Sequence, residues 1–342
     1  MLNQQDTARY VRQTVLAQVG QEGQRRLADS TVLLVGCGSL GSAQAMLLAR
    51  AGVGRLILAD RDLLELHNLH GQILYDENDV RERLPKAEAA ARRLRAINSA
   101  IRIEPVIADV TAANIAELAA QADLLVDGTD NFETRYLLND AAVQAGKPWV
   151  YGGVLGAQGM VMPVRPGQGP CLRCLFAEPP QAGTVPTCDT FGVLNTAVSW
   201  VAALQVTEVL KLLLGKTDKE FKFYTLDIWR GSVTSAAAQR REDCECCAKH
   251  SFEFLDRGRS ASSTVLCGRN AVQLTPERKT VLDFALLAER LSPLGRVAVS
   301  GLLLEFTCGE RRLVVFSDGR VLVMGTTDTA EARSLVARYI GS

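Results

Sequence analysis

No excess of either charge marks this chain: 38 Lys+Arg meet 38 Asp+Glu across 342 residues. That balance excludes a general electrostatic grip on nucleic acid or on an anionic membrane, and leaves only a local basic patch open. An apolar leader is lacking too. MLNQQDTARY has no hydrophobic core, so no secretory signal is expected. The longest apolar stretch, AVSWVAALQVTEVLKLLLG, is broken by Gln205, Glu208 and Lys211, and is too polar and too short for a comfortable membrane span. Repeats and low-complexity tracts are absent. The expectation is a cytoplasmic protein with neither nucleic acid nor membrane as partner.

The composition is that of an ordinary globular protein, 47% hydrophobic and 22% charged. The length suits one large domain or two moderate ones. Nine cysteines stand out. Without a secretion signal they are expected to be free, metal-bound or catalytic rather than disulfide-bonded.

Residues 31–60 read strand, turn, helix, strand. Thr31–Val35 is β-rich and apolar, GCGSLG follows at once, SAQAMLLARAG has helical periodicity, and RLILAD is a second buried strand. Further strand–helix units run to PWVYGGV. Continuous apolar strands alternating with helices indicate an α/β fold, a Rossmann-like, mostly parallel sheet with helices on both faces. A long helix is expected over 193–214, then a hairpin about Trp229–Arg230. RGRSASS reads as a linker within 251–263. That separates a domain at 1–250 from a small α+β domain at 264–342, whose SDG at 317–319 marks a hairpin turn.

Gly36, Gly38 and Gly41 have the spacing that brings backbone N–H groups to phosphates at a helix N-terminus. Asp60 ends the next strand, where an acid can bind a ribose hydroxyl. These features alone favour an NAD-dependent oxidoreductase. Two later residues move the balance toward ATP. Lys86, at a helix start, suits a phosphate, and an acid at the strand end in DGTDN, Asp127 or Asp130, suits Mg²⁺. Each has a plainer alternative: Lys86 as a solvated helix residue, Asp130 as the N-cap of the helix that holds Arg135.

Taken in order, RYVRQ, GQRRL, VLLVGCGSLGS, DRDLLELHNLHGQ, LPKAEAA, DGTDNFETRYLLND, CLRC, TCDTFGV and CECC resemble the HesA/MoeB/ThiF family, bacterial relatives of ubiquitin-activating enzymes. The resemblance covers about residues 8–250. It implies that the glycine loop and Asp60 hold ATP, that Asp62, Asn68 and Gln72 line the same pocket, that Lys86 meets the phosphates and that Asp130 holds Mg²⁺. It implies a homodimer in which Arg12 reaches the ATP of the second subunit. It implies as substrate the C-terminal glycine carboxylate of a ubiquitin-like sulfur-carrier protein, adenylated with release of pyrophosphate. One position departs from the pattern: Gly71 stands where the family usually has an arginine on the phosphates. That departure opens a further alternative, a weakened nucleotide- or carrier-binding scaffold.

Cys171–Cys174 and Cys244–Cys247 form two Cys-x-x-Cys pairs that suit a tetrahedral, structural Zn²⁺ once the fold unites them. Buried or redox cysteines are the alternative, Cys246 is spare, and His250 is read as a surface residue, with a competing ligand as its alternative. Cys188 precedes the long helix, where a thiolate is stabilised and nucleophilic. The resemblance implies thioester or sulfur transfer there, with a sulfur-donor protein as a further partner; an unreactive loop thiol is the alternative. His67, His70 and the helix face of Arg92, Arg93 and Arg95 are read as packing or solvated surface. Cys308 falls between two expected strands, which rules out a rhodanese-type anion loop.

Overall fold

The computed structural model of the chain describes residues 4–180, 191–257, 263–266, 270–276 and 282–340. Two compact units divide it, Met1–Arg259 and Ser260–Ser342.

The first unit is built on an eight-stranded sheet of order β3-β2-β1-β4-β5-β6-β7-β8. β1 (Thr31–Val35), β2 (Arg55–Ala59), β3 (Arg102–Val106), β4 (Leu124–Asp127) and β5 (Trp149–Leu155) pair in parallel. β6 (Gln158–Val164), β7 (Lys222–Asp227) and β8 (Ser232–Ala237) continue it antiparallel. The expected α/β class and hairpin are both present. Alternate residues of each parallel strand feed opposite cores, which is why these runs are apolar throughout. Val32, Leu34, Leu56 and Leu58 face one layer, and Leu33, Val35, Ile57 and Ala59 face the other.

The first layer holds α3 (Ser39–Ala51), α5 (Lys86–Ile97) and the long helix α9 (Asn195–Leu214), with α1 (Gln4–Thr14) and α2 (Gly20–Asp29) beside them. The second holds α6 (Ile115–Ala120), α7 (Phe132–Ala145), the single turn α8 (Leu172–Leu175) and α10 (Glu253–Arg257). α10 packs on α7 with the Phe254 and Tyr136 rings 5.0 Å apart, so structure continues beyond residue 250. α4 (Glu77–Arg81) precedes α5 and is capped by Asp76, whose side chain accepts Asn78 N and Asp79 N.

α9 is long and apolar enough, by length and composition, to cross a membrane. Its place is in the core against α3, β5 and β6. The polar residues that interrupt it all have partners there. Gln205 donates to the Asp127 carbonyl, and Glu208 pairs with Lys211 at 2.7 Å.

The second unit is a six-stranded antiparallel sheet of order β11-β12-β13-β14-β10-β9, where β9 is Ser263–Leu266, β10 Ala271–Leu274, β11 Arg296–Val299, β12 Leu303–Cys308, β13 Arg311–Phe316 and β14 Val321–Met324. α11 (Phe284–Leu291) and α12 (Thr329–Tyr339) close its own core on Leu291, Phe306, Leu313 and Val323. The turn at 317–319 joins β13 to β14, with Phe316 N donating to Arg320 O. Cys308 ends β12 opposite Arg311, inside a hairpin, as expected.

Candidate functional site

β1 sits between β2 and β4, so the strand order reverses there and leaves a crevice at the carboxyl ends of β1 and β4. Both loops with candidate residues open at that point. Gly36 follows β1 with φ +91°, a conformation that favours glycine. A Cβ on Gly36 would lie 2.6 Å from the Gly128 carbonyl, and one on Gly41 1.9 Å from the Gly36 carbonyl. The two loops thus touch backbone to backbone, and Gly38 opens α3 as its N-cap.

Asp60 follows β2, and its carboxylate is held from both sides. Oδ2 accepts Cys37 N at 2.6 Å and Oδ1 accepts Asp62 N at 2.7 Å. Burial pushes the Asp60 carboxyl above its ordinary range, against the pull of the Lys86 ammonium. Lys86 is not the solvated residue of the plainer reading. It is 3% exposed at the first turn of α5, with Nζ 2.9 Å from Asp62 Oδ2. Asn68 is buried in the 3-10 turn Leu66–His70, where its Oδ1 accepts Glu65 N. Gln72 is buried beside the glycine loop, and its Oε1 has no hydrogen-bond partner among the described residues. An orphaned buried acceptor at that point fits a ligand donor. Gly71 is buried against Ser39, the first residue of α3.

The two acids after β4 have separate places. Asp127 is fully buried and used up internally: Oδ1 accepts Thr129 N and Oγ1, and Oδ2 accepts Arg135 Nε and Gly152 N. Asp130 is exposed, so of the pair it is the one open to a cation. Nor does Asp130 cap α7. Asn131 is the N-cap, its Oδ1 accepting Thr134 N at 2.8 Å. Arg12 lies exposed on α1, with no hydrogen bond among those of the described residues. Cys188 lies outside the described residues.

The two cysteine pairs do meet. Sγ atoms of Cys171, Cys174, Cys244 and Cys247 all lie within 4.8 Å of one another, all buried. Cys171 faces Cys244 at 3.6 Å and Cys174 faces Cys247 at 3.4 Å. Zinc bound tetrahedrally by sulfur at about 2.3 Å spaces its ligands by about 3.8 Å, so the donor set fits that ion. Cys246 stays outside it and accepts the Asn139 amide at 3.2 Å. His250 is on the surface against Phe252. His67 and His70 are exposed, and Arg92 and Arg93 pair with acids on the helix surface, as expected.

Sequence reasoning missed two supports of this site. Gln44 and Gln205 join at 2.6 Å, and both donate to the Asp127 carbonyl. Tyr75 reaches the glycine loop. Neither carries a local signal, because every partner is distant in the chain.

A glycine loop, a ribose-type acid and a buried lysine at one switch point define a nucleotide-binding α/β protein of the Rossmann-like class. The ThiF family pattern matches residues 10–247, and the chain belongs to that family. It is 42% identical over 338 residues to a sulfur carrier protein ThiS adenylyltransferase of Bacillus subtilis, covering 98% of this chain and 100% of the relative. Over 246 residues it is 42% identical to a sulfur carrier protein adenylyltransferase of Thermus thermophilus, covering 70% of this chain and 90% of that one. The first match therefore extends through the second unit. The crystal structure of E. coli MccB with ATP shares the fold, with a TM-score of 0.61 over 70% of this chain and 74% of that one, at 23% identity.

Proposed function

We propose that this chain is an adenylyltransferase that activates the C-terminal glycine carboxylate of a ubiquitin-like sulfur-carrier protein with ATP. The observation that carries this reading is Lys86, a lysine 3% exposed beside the glycine loop of a chain 42% identical along its length to a ThiS adenylyltransferase. A dehydrogenase gives no task to Lys86 or to the open acid Asp130. Anionic phosphates give both one, the acid through a metal ion.

The chemistry is phosphoryl positioning. The carrier carboxylate is ionised at neutral pH, so no general base is required. One of its oxygens bonds to the α-phosphorus while the bond to the pyrophosphate oxygen breaks, and the electron pair leaves with pyrophosphate. Charge grows on the phosphate oxygens, and Lys86, the N–H groups at the glycine loop and Arg12 are the groups that would offset it. Asp60, Asp62, Asn68 and Gln72 would hold the nucleoside side. Asp130 would hold Mg²⁺, which neutralises phosphate charge. Arg12 points away from its own core, which supports a homodimer in which each subunit completes its partner's site. The four cysteines would hold Zn²⁺ in a closed, structural shell. Cys188 is assigned to thioester or sulfur transfer with a sulfur-donor protein. A cytoplasmic location is part of this reading, and the free thiols of the described core support it.

The test is exchange of labelled pyrophosphate into ATP, run with each small Gly-Gly-ending protein of the source organism. Exchange that needs one carrier, and that falls about 100-fold in Asp130→Ala, supports the reading. No exchange with any carrier overturns it. ATP binding without exchange favours the Gly71-weakened scaffold, and reduction of NAD favours the oxidoreductase. Cys188→Ala should keep exchange and lose sulfur transfer.

A further inference from the structure

Tyr75 belongs to none of the groups that would touch nucleotide, yet it stands between two of them. It follows the 3-10 turn through a Tyr75 N to Gln72 O bond and is 8% exposed. Its hydroxyl lies 2.7 Å from Cys37 O and 3.2 Å from Lys86 O. Cys37 is the second residue of the glycine loop, and its N–H already goes to Asp60 Oδ2. Among the hydrogen bonds of the described residues, the Tyr75 hydroxyl is the donor on the Cys37 carbonyl. The two peptide groups that flank the Cys37 Cα are therefore each gripped. Asp60 holds the Cys37 N–H, and Tyr75 holds the Cys37 carbonyl while reaching the first residue of α5.

A hydroxyl has one proton to give. The shorter contact marks Cys37 O as the acceptor, and the Lys86 carbonyl shares the proton at longer range. The result is a chain of hydrogen bonds from Asp60 through the glycine loop to the backbone of Lys86. A phenylalanine would fill the same space among Leu74, Leu84 and Ala87 without that connection.

We propose that Tyr75 is a positioning residue that sets the glycine loop against Lys86, so that loop amides and ammonium address the same phosphate chain. The proposal rests on the ATP reading above. It acts on phosphate and not on nucleoside, because Asp60 keeps both its backbone donors when the phenol is lost.

The experiment is calorimetric titration of the full chain and of Tyr75→Phe with Mg·ATP and with adenosine. The variant should bind Mg·ATP about tenfold more weakly and adenosine within about twofold of wild type. In a Lys86→Met background, Tyr75→Phe should have no further effect on Mg·ATP. Equal weakening of both ligands means a merely structural tyrosine and overturns the proposal, as does unchanged Mg·ATP binding. A variant that melts earlier is still decided, because a looser fold weakens both ligands alike and leaves their ratio unmoved. Wild type that fails to bind Mg·ATP defeats the ATP reading itself. Wild type that binds it, with an unaltered ratio in Tyr75→Phe, defeats only the role of Tyr75.

Discussion

Arg135 Nε lies 3.2 Å from Asp127 Oδ2, with both side chains sealed at the carboxyl end of β4. Burial pushes the Asp127 carboxyl above its ordinary range, and the guanidinium pulls against that push. Arg135 Nη2 also donates to the carbonyls of Thr129 and Gly152, so one side chain ties the loop before Asp130 to β5. Removing one partner of a buried pair leaves the other uncompensated. Arg135→Met should therefore cost about 3–5 kcal/mol, read as a fall in the urea midpoint. A loss below about 1 kcal/mol would mean that the pair relaxes to water instead.

Gly71 has φ −123° and ψ −13°, which any residue adopts, so its backbone does not demand glycine. A Cβ there would meet the Ser39 hydroxyl at 2.8 Å and the Ser39 Cβ at 3.5 Å. The hydroxyl can rotate away. Gly71→Arg should therefore fold, bring a guanidinium to the start of α3 and raise carrier-dependent pyrophosphate exchange about tenfold. An unchanged exchange rate would show that glycine at this position is no handicap.

The two thiol pairs should carry one zinc per chain, measured by atomic absorption after gel filtration. Cys247→Ser should lose the metal and melt at a lower temperature, because the remaining buried thiolates repel one another without a cation. Cys246→Ser, one residue away but bonded to Asn139, should keep it. Equal zinc in both variants would remove Cys247 from the ligand set.

Asp76 supplies a dependence on pH. The Arg93 guanidinium, then the Asp79 and Asn78 amides that it caps, hold its carboxyl below the usual carboxylate range. A carboxyl depressed by folding contributes stability above its unfolded value of about 3.9, lost as pH falls through the lower folded value. Asp76→Asn should thus melt earlier than wild type at pH 6 and converge with it as pH falls through the lower folded value. A constant difference across that range would assign the effect to capping geometry and not to charge.

Much of this was legible from residue types. Val32 to Gly41 and Arg55 to Asp60 follow the local rules of strand, tight turn and helix, and they form those elements. The Cys-x-x-Cys pairs announced a four-sulfur site, though only folding closes the sequence separation of 73 from Cys171 to Cys244. The single-residue readings fared less evenly, because burial decides them. Lys86 lies on a charged helix and is nonetheless enclosed, since it belongs to the buried face of α5 with Ala87, Ala90 and Leu94. Asn131 and not Asp130 caps α7, a shift of one residue that propensity cannot resolve. Tyr75 and the Gln44–Gln205 pair gave no signal, because a hydroxyl or amide that bonds to distant carbonyls looks like any other in a sequence.

The meeting of Cys171 with Cys244 and of Cys174 with Cys247 also has a topological meaning. Once a metal joins these sulfurs, the chain is closed into a ring that contains Cys188, the whole of α9 and the β7–β8 hairpin. A protease that nicks the ring once does not release a fragment, since both new ends stay leashed at the same clasp. Chain length between the clasped pairs can then vary while the strands on either side keep their places in the sheet.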